Sequence, residues 1–305
     1  MQLKVEYQDR HGNINIQNYH LTRLALLKHM AIAGQGYKFS PQKLMRTLGM
    51  FLHYSSYLNK YEFKNDKFSE PPIGLSDPTE KGQFSNLVGK AIADFLSKRI
   101  DNSIYTVNYE AAMRVKGQPI NGPRPDLIAF NRTQTFAIEA KGYAGNSGNM
   151  SAHKKQSQTG NIPVDFTVAS VAYDLYNNVK VKYYDPENGD VPYDNELRQK
   201  LTQNYYKGFL GFLDERYFNF NELELQGEKF YEIQLFPPYW DYHDKFMNIC
   251  GHEILYYYRP ALIVPKEIHE FAEKGLTNEI KPFIFEKTEE NNIYIDNDRI
   301  GLKIR

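Results

Sequence analysis

The sequence predicts a mixed α/β (α+β) protein, in which helices pack on a central β-sheet. The first indication is a long amphipathic helix that begins near Thr79, where apolar side chains recur at helical spacing. The second is a set of short apolar runs after that helix, which are typical of β-strands. These candidate strands span residues 104–115, 126–130, 135–141, 164–172 and 179–184.

The N-terminal segment predicts a hairpin followed by two helices. Residues 2–18 alternate loosely around a turn at 10–13, where His11, Gly12 and Asn13 supply turn chemistry. Apolar residues then recur at helical spacing from Leu21 to Met30 and again over 44–52. The two helices are compatible with a helix-turn-helix that binds DNA and equally with a plain helical pair. Residues 62–78 are polar and rich in proline, which predicts a linker or surface loop.

Charge is distributed unevenly along the chain, although its formal net charge is zero. No acidic residue occurs between Asp9 and Glu62, whereas this stretch contains seven lysines and arginines. From Asp185 onward, 23 acidic residues outnumber 14 basic ones. We therefore divide the chain into a basic N-terminal region of residues 1–75 that is suited to DNA binding, a core of residues 76–185, and an acidic, aromatic-rich C-terminal region of residues 186–305 packed on that core.

Composition also excludes several classes of protein. No apolar run is long enough to span a bilayer and no secretion signal is present, so we expect a soluble, cytoplasmic protein without a membrane partner. The single cysteine, Cys250, excludes an internal disulfide and zinc sites built on cysteine pairs. No phosphate-binding glycine-rich loop occurs, which argues against a nucleotide cofactor. The group His243, Cys250, His252 and Glu253 matches no standard spacing of metal ligands.

The segment with the clearest chemistry is a predicted hairpin that ends in Lys141. The apolar runs 126–130 and 135–141 flank the polar tetrapeptide Asn-Arg-Thr-Gln. If that tetrapeptide forms the connection, Phe130 pairs with Thr135, and counting outward places Asp126 opposite Glu139. Lys141 lies on the same face because residues two apart on a strand share a face.

Opposed carboxylates on a sheet repel each other unless a cation lies between them. Magnesium supplies such a cation, since it prefers carboxylate oxygens and water in octahedral geometry. We expect Asp126 and Glu139 to bind it together with the backbone carbonyl of Ala140. Lys141 would then hold the attacking water or offset charge on a phosphodiester in the transition state.

Pro125-Asp126, followed by Glu139-Ala140-Lys141, resembles the PD-(D/E)xK signature of the restriction-endonuclease-like nucleases. The resemblance covers roughly residues 79–172 and implies a core with a mixed central sheet flanked by helices. It further implies hydrolysis of DNA by an Mg²⁺-dependent endonuclease, with Mn²⁺ as a substitute. Members of this family often act as dimers, and a role in restriction or another form of genome defence is expected.

Two further expectations concern residues around this motif. The family often places a glutamate on the first helix, where Glu80 is one candidate fourth acidic ligand and Glu110, on the predicted strand 104–115, is the other. Between Ala140 and Val164 no acid occurs, so we expect a flexible loop suited to a phosphate backbone, with Lys154, Lys155 and Gln156 near the nucleic acid.

Two alternatives to a nuclease stay open at this point. One is a non-catalytic nucleic-acid-binding protein that retains the nuclease fold but lacks the helix glutamate. The other is a structural or partner-binding protein in which the motif is fortuitous, since Glu62-Phe63-Lys64 also fits E-x-K without a paired aspartate.

Overall fold

The computed structural model describes residues 1–34, 49, 54, 57–70, 77–185, 194–235, 259–275, 279–288 and 292–304. Within these ranges the protein is mixed α/β, with a seven-stranded mixed sheet, a six-stranded antiparallel sheet and helices. The second predicted helical pattern at 44–52, apart from residue 49, lies outside the described residues. The same holds for the group of His243, Cys250, His252 and Glu253.

Two sheets contain all the described strands. The strands of the first sheet are β1 (Gln2–Gln8), β2 (Ile14–His20), β3 (Tyr105–Asn108), β4 (Leu127–Phe130), β5 (Thr135–Gly142), β6 (Phe166–Tyr173) and β7 (Lys180–Tyr184). Those of the second sheet are β8 (Phe220–Leu225), β9 (Glu228–Gln234), β10 (Ala261–Pro265), β11 (Phe285–Lys287), β12 (Asn292–Ile295) and β13 (Gly301–Ile304).

The described helices are spread along the whole chain. They are α1 (Arg23–Ile32), α2 (Lys60–Lys64), α3 (Pro78–Ile100), α4 (Tyr109–Val115), α5 (Met150–Ser157), α6 (Asn195–Leu210) and α7 (Ile268–Lys274). A short 3₁₀ turn, Gly211–Leu213, extends α6. Among the described helices, none is both long and apolar enough to cross a membrane.

The first sheet has the strand order β2-β1-β7-β6-β5-β4-β3. Strands β5 and β6 run parallel, as do β1 and β7, whereas the other neighbours are antiparallel. The predicted N-terminal hairpin is confirmed as β1 and β2, and its β1 strand extends the same sheet that contains β5. The predicted strands at 164–172 and 179–184 are confirmed as β6 and β7.

Helix α3 is the predicted amphipathic helix, and it packs directly on the sheet. Asp77 caps its N-terminus by accepting a hydrogen bond from the Thr79 amide at 2.8 Å, and Pro78 occupies the first turn. The contact with β5 is very close, because a Cβ atom added to Gly142 would lie 1.8 Å from the Ser85 carbonyl oxygen. A Cβ added to Gly89 would lie 2.4 Å from the Lys141 carbonyl group. The two glycines therefore fix how near α3 lies to β5.

Three local predictions are confirmed only in part. The predicted strand 104–115 is a strand only over Tyr105–Asn108, because Asn108 accepts a hydrogen bond from the Glu110 amide and starts helix α4. The acid-free passage after Ala140 is only partly a loop, because helix α5 lies in the middle of the passage. Asn149 caps the N-terminus of this helix. The predicted loop 62–78 overlaps the end of helix α2, which Asn59 caps.

A fully buried ionic network, which the sequence did not predict, joins the C-terminal sheet to helices α1 and α3. Lys28 and Lys98 each lie within hydrogen-bonding distance of Asp298, at 2.7 and 2.8 Å. His29 lies between two further carboxylates, with Nδ1 2.6 Å from Asp94 and Nε2 3.1 Å from Asp296. The tight turn between β12 and β13 thereby becomes part of the core.

Candidate active site

The hairpin of β4 and β5 has the predicted register. Phe130 pairs with Thr135 and Leu127 with Ile138, where the strand pairing ends. The Asp126 amide donates to the Ile138 carbonyl oxygen at 3.1 Å, one residue out of this register, so Asp126 lies just beyond the end of β4 and close to Glu139.

Asp126, Glu139 and Lys141 converge at this end of the hairpin. Lys141 Nζ lies 3.1 Å from Asp126 Oδ2 and 2.5 Å from Glu139 Oε1. The backbone amide of Ala140 also donates to Asp126 Oδ2, at 3.1 Å. The ammonium group therefore bridges the two carboxylates, and the backbone of residue 140 lies beside them.

The three side chains differ in their access to solvent. The Glu139 side chain is 0% exposed, whereas those of Asp126 and Lys141 are 28% and 25% exposed. Glu139 is buried because its strand lies between β4 and β6, where its parallel partner is the small residue Ala169. The site thus combines a fully buried carboxylate with a carboxylate and an ammonium group that are partly exposed to solvent.

Burial changes the acid–base properties of this group. Removal of water, reinforced by the nearby Asp126 carboxylate, raises the pKa of Glu139 to about 7, despite the opposing effect of Lys141. Burial alone would lower the pKa of Lys141, but Asp126 and Glu139 outweigh it and raise that pKa. Lys141 is therefore a permanent cation, and Glu139 carries its charge most readily when a further cation approaches.

The donor set at this site fits a magnesium ion. Glu139 Oε1 lies 2.5 Å from the Lys141 ammonium group, whereas the buried Oε2 has no hydrogen-bond partner among the described residues. A buried carboxylate oxygen without a partner favours a hard cation. The Ala140 amide already donates to Asp126, and the carbonyl of the same residue is the backbone oxygen expected to join the two carboxylates. Among the described residues, no group of three or more acidic, histidine or cysteine side chains is arranged to hold a metal ion, so the candidate donors here are two carboxylates and this carbonyl.

The two candidates for a fourth acidic ligand have other partners. Glu80 lies in the first turn of α3 and accepts a hydrogen bond from the Tyr57 hydroxyl at 2.6 Å. Glu110 is in the first turn of α4 and binds the Arg124 guanidinium, with Nε 3.1 Å from Oε1. The prediction that Glu110 lies on a strand is therefore wrong, because the helix begins at Tyr109.

The residues predicted to contact nucleic acid lie on helix α5, which packs on the face of the sheet that carries Glu139. Ser157 anchors this helix by donating to Thr167 Oγ1 at 3.1 Å. Gln156 Nε2 donates to the Arg124 carbonyl oxygen at 3.3 Å, just ahead of Asp126. Lys154 extends to Gln8 Oε1 at 3.3 Å, and Lys155 is exposed. The structure therefore brings Gln156 nearest to the loop that carries Asp126.

Sequence reasoning missed two groups beside this site. Arg124 precedes Asp126 by two residues and forms an ion pair with Glu110, with both side chains partly exposed. His153 lies within hydrogen-bonding distance of the Tyr143 hydroxyl, at 3.2 Å, and burial together with the Lys141 charge lowers its pKa. The signal for Arg124 was its place in the Gly-Pro-Arg-Pro-Asp segment, whereas nothing in the sequence linked Tyr143 to His153.

No protein-family model, curated protein or solved structure matches this chain.

Proposed function

We propose that the protein is a metal-dependent nuclease whose active site is Asp126, Glu139 and Lys141. One observation carries the proposal: a partly exposed aspartate and a buried glutamate converge on one lysine at the end of a β-hairpin. Such a group costs stability in an ordinary sheet, because like charges and a buried carboxylate are unfavourable. Perturbed ionisable groups that face an opening are typical of catalytic sites.

Asp126, Glu139 and the Ala140 carbonyl would hold Mg²⁺, or Mn²⁺ in its place. When bound, the metal ion would acidify a water molecule and neutralise charge on the phosphate. The protein itself supplies fixed geometry, since the Ala140 amide orients Asp126 and the strand pairing of β5 with β6 holds Glu139.

Lys141 would act as a permanent positive charge, because its pKa is raised and it stays protonated at neutral pH. A protonated lysine cannot remove a proton from water, so it would instead donate a hydrogen bond to a phosphate oxygen. This contact stabilises the negative charge that develops as the phosphodiester is attacked.

The resemblance to restriction-endonuclease-like nucleases supports DNA as the substrate and a role in restriction or genome defence. The order of α3, β3, β4 and β5 agrees with the helix-strand-strand-strand order of that family, with helix α4 inserted after β3. The same resemblance implies a homodimer.

Cleavage assays with a panel of substrates test this proposal. Supercoiled plasmid, linear duplex, single-stranded DNA and RNA are incubated with the protein and either Mg²⁺ or Mn²⁺. We expect duplex DNA to be cut only when a divalent ion is present. Asp126→Asn, Glu139→Gln and Lys141→Ala should each reduce the rate by roughly 100-fold or more, because each removes a group required for charge stabilisation.

Matched controls come from charged residues outside the site. Glu62→Gln alters the other E-x-K motif, whose glutamate forms an ion pair with Lys67, and Lys200→Ala removes an exposed lysine of α6. Both variants should cut at the wild-type rate. Undiminished cleavage by Asp126→Asn or Lys141→Ala would refute the assignment, as would loss of activity in the two controls as well.

A second candidate function is non-catalytic nucleic-acid binding. The observation that favours it is the position of the Lys141 ammonium group, which already partly neutralises both carboxylates. That function predicts salt-sensitive binding of nucleic acid without cleavage under any metal condition. The substrate panel distinguishes the two functions.

A further inference from the structure

We propose that a cavity between helices α1 and α2 and strands β12 and β13 binds a small anionic amphiphile, a molecule with an apolar body and an anionic head. The cavity has a volume of about 560 Å³. This is within the range of about 300–1,000 Å³ that is typical of small-molecule sites. None of the residues of the candidate active site lines it, and the proposal does not depend on the nuclease assignment.

The floor of this cavity is apolar. Side chains from both helices and from the second sheet form it, so that an apolar group of a ligand would be shielded from water. The apolar lining residues are Leu24, Leu27, Leu58, Phe63, Ile293 and Ile304.

The charged residues described along the rim of the cavity are mainly basic. Arg23, Lys60, Lys64 and Lys287 line it, whereas Glu286 is the acidic residue among the described lining residues. None of the four cations forms an ion pair with a described residue, although lysines and arginines elsewhere on the protein do so frequently. Such an excess of positive charge around a concave surface attracts anions.

Arg23 gives a more specific indication of an anionic head group. Its Nε atom is buried and has no hydrogen-bond partner among the described residues. The residue as a whole is only partly buried and lines the cavity, so an anionic oxygen there would compensate the guanidinium charge. Arg23 is also the first residue of α1, where the helix dipole adds positive potential at the cavity.

The combination of floor and rim identifies the class of ligand. A duplex nucleic acid would use the cations but would gain nothing from the apolar floor, since its outer surface is phosphate and sugar. An uncharged apolar molecule would use the floor but would leave the cations of the rim without an anionic partner. A carboxylate or phosphate attached to an aliphatic or aromatic body satisfies both.

Fluorescence titration with anilinonaphthalene sulfonate tests the proposal, because this dye has an apolar body and an anionic head. The wild-type protein should bind the dye more tightly than uncharged phenylnaphthylamine, and added salt should weaken the binding. Combined Arg23→Gln and Lys64→Gln should raise the dissociation constant for the anionic dye by roughly tenfold, because charge-assisted hydrogen bonds are lost. The affinity for the uncharged dye should stay unchanged.

The matched control is combined Lys200→Gln and Lys207→Gln, which removes the same charge from exposed positions on α6. Its affinity for the anionic dye should equal that of the wild type. Displacement of the dye by decanoate would assign a carboxylate ligand, whereas displacement by adenosine monophosphate would assign a phosphate.

Three results would overturn the proposal. The first is equal affinity of the wild type for the charged and uncharged dyes. The second is equal weakening of dye binding in the pocket and control variants. The third is complete displacement of the dye by a short DNA duplex, which would identify the rim as a nucleic-acid surface. If the pocket variant does not fold, the salt dependence of anionic-dye binding to the wild-type protein still tests the proposal.

Discussion

Lys28 and Asp298 form an ion pair inside the core, with Nζ 2.9 and 2.7 Å from the two carboxylate oxygens, although 270 residues separate them in the sequence. Both side chains are fully buried. The pair ties helix α1 to the turn between β12 and β13, and Lys98 joins it from helix α3. Removal of either lysine therefore leaves the buried carboxylates of this network with less compensating charge.

Lys28→Met should therefore destabilise the protein strongly. Removing one member of a buried ion pair typically costs about 3–5 kcal/mol, since the remaining charge cannot regain its hydration. The free energy of unfolding from urea titrations measures this effect. Lys200→Met is the control, because it breaks an exposed ion pair with Glu196 and should change stability by about 0.5 kcal/mol or less. Equal stability of the two variants would show that the network does not stabilise the fold.

The close contact between α3 and β5 leads to a second prediction. Gly142→Ala should cost about 1–3 kcal/mol, because the new methyl group would overlap the Ser85 carbonyl and push the helix away from the strand. Since Gly142 follows Lys141, the rate of DNA cleavage should also fall.

Gly82→Ala supplies the control for this contact. Gly82 also lies in α3, but nothing lies within 4 Å of its added Cβ. This substitution should instead stabilise the protein by about 0.5–1 kcal/mol, because alanine is a better helix former than glycine. If Gly142→Ala were as stable as Gly82→Ala in thermal unfolding, the packing account of α3 and β5 would be wrong.

The stability of the folded protein should depend on pH through the ionisation of Asp101. Burial raises the pKa of Asp101 to about 7 from an ordinary value of 3.8, despite a hydrogen bond from the Tyr183 hydroxyl that opposes the shift. The folded protein therefore keeps a proton that the unfolded chain releases between these two values. The contribution of this bound proton to the stability of the folded protein is complete below pH 3.8 and is lost as the pH rises to about 7.

Asp101→Asn should make stability less dependent on pH over this range. The free energy of unfolding of the variant, relative to that of the wild type, should rise from about pH 4 to about pH 7 and stay constant above pH 7. Thermal unfolding across this range measures the effect. A pH profile identical to that of the wild type would show that Asp101 ionises in the folded protein as it does in water. Asp185, whose pKa burial raises to about 6, adds a residual slope in the same direction.

The sequence predicted the candidate site better than its surroundings, because the residues that form the site are close together along the chain. The polar tetrapeptide between two apolar runs determined the register, and the period of two along each strand then placed Asp126, Glu139 and Lys141 on one face. These relationships span only 16 residues. They needed no knowledge of distant parts of the chain, apart from the strand β6 that buries Glu139.

The errors have identifiable physical causes. The segment after Tyr105 alternates like a strand, but the Asn108 side chain caps the following residues and converts them to helix α4. The buried network could not be predicted because Lys28, Lys98 and Asp298 are residue types that usually lie at the surface. Their partners are far apart in sequence, so only the folded structure shows that they compensate one another.

Binding of Mn²⁺ to the wild type and to Glu139→Gln, measured by calorimetry at about pH 8, tests the central claim most directly. The wild type should bind the ion, whereas Glu139→Gln should lose this binding because a neutral amide replaces the buried carboxylate. Glu62→Gln should bind as the wild type does. Equal Mn²⁺ affinity in wild type and Glu139→Gln, or no binding to either, would contradict a divalent ion held by Asp126 and Glu139.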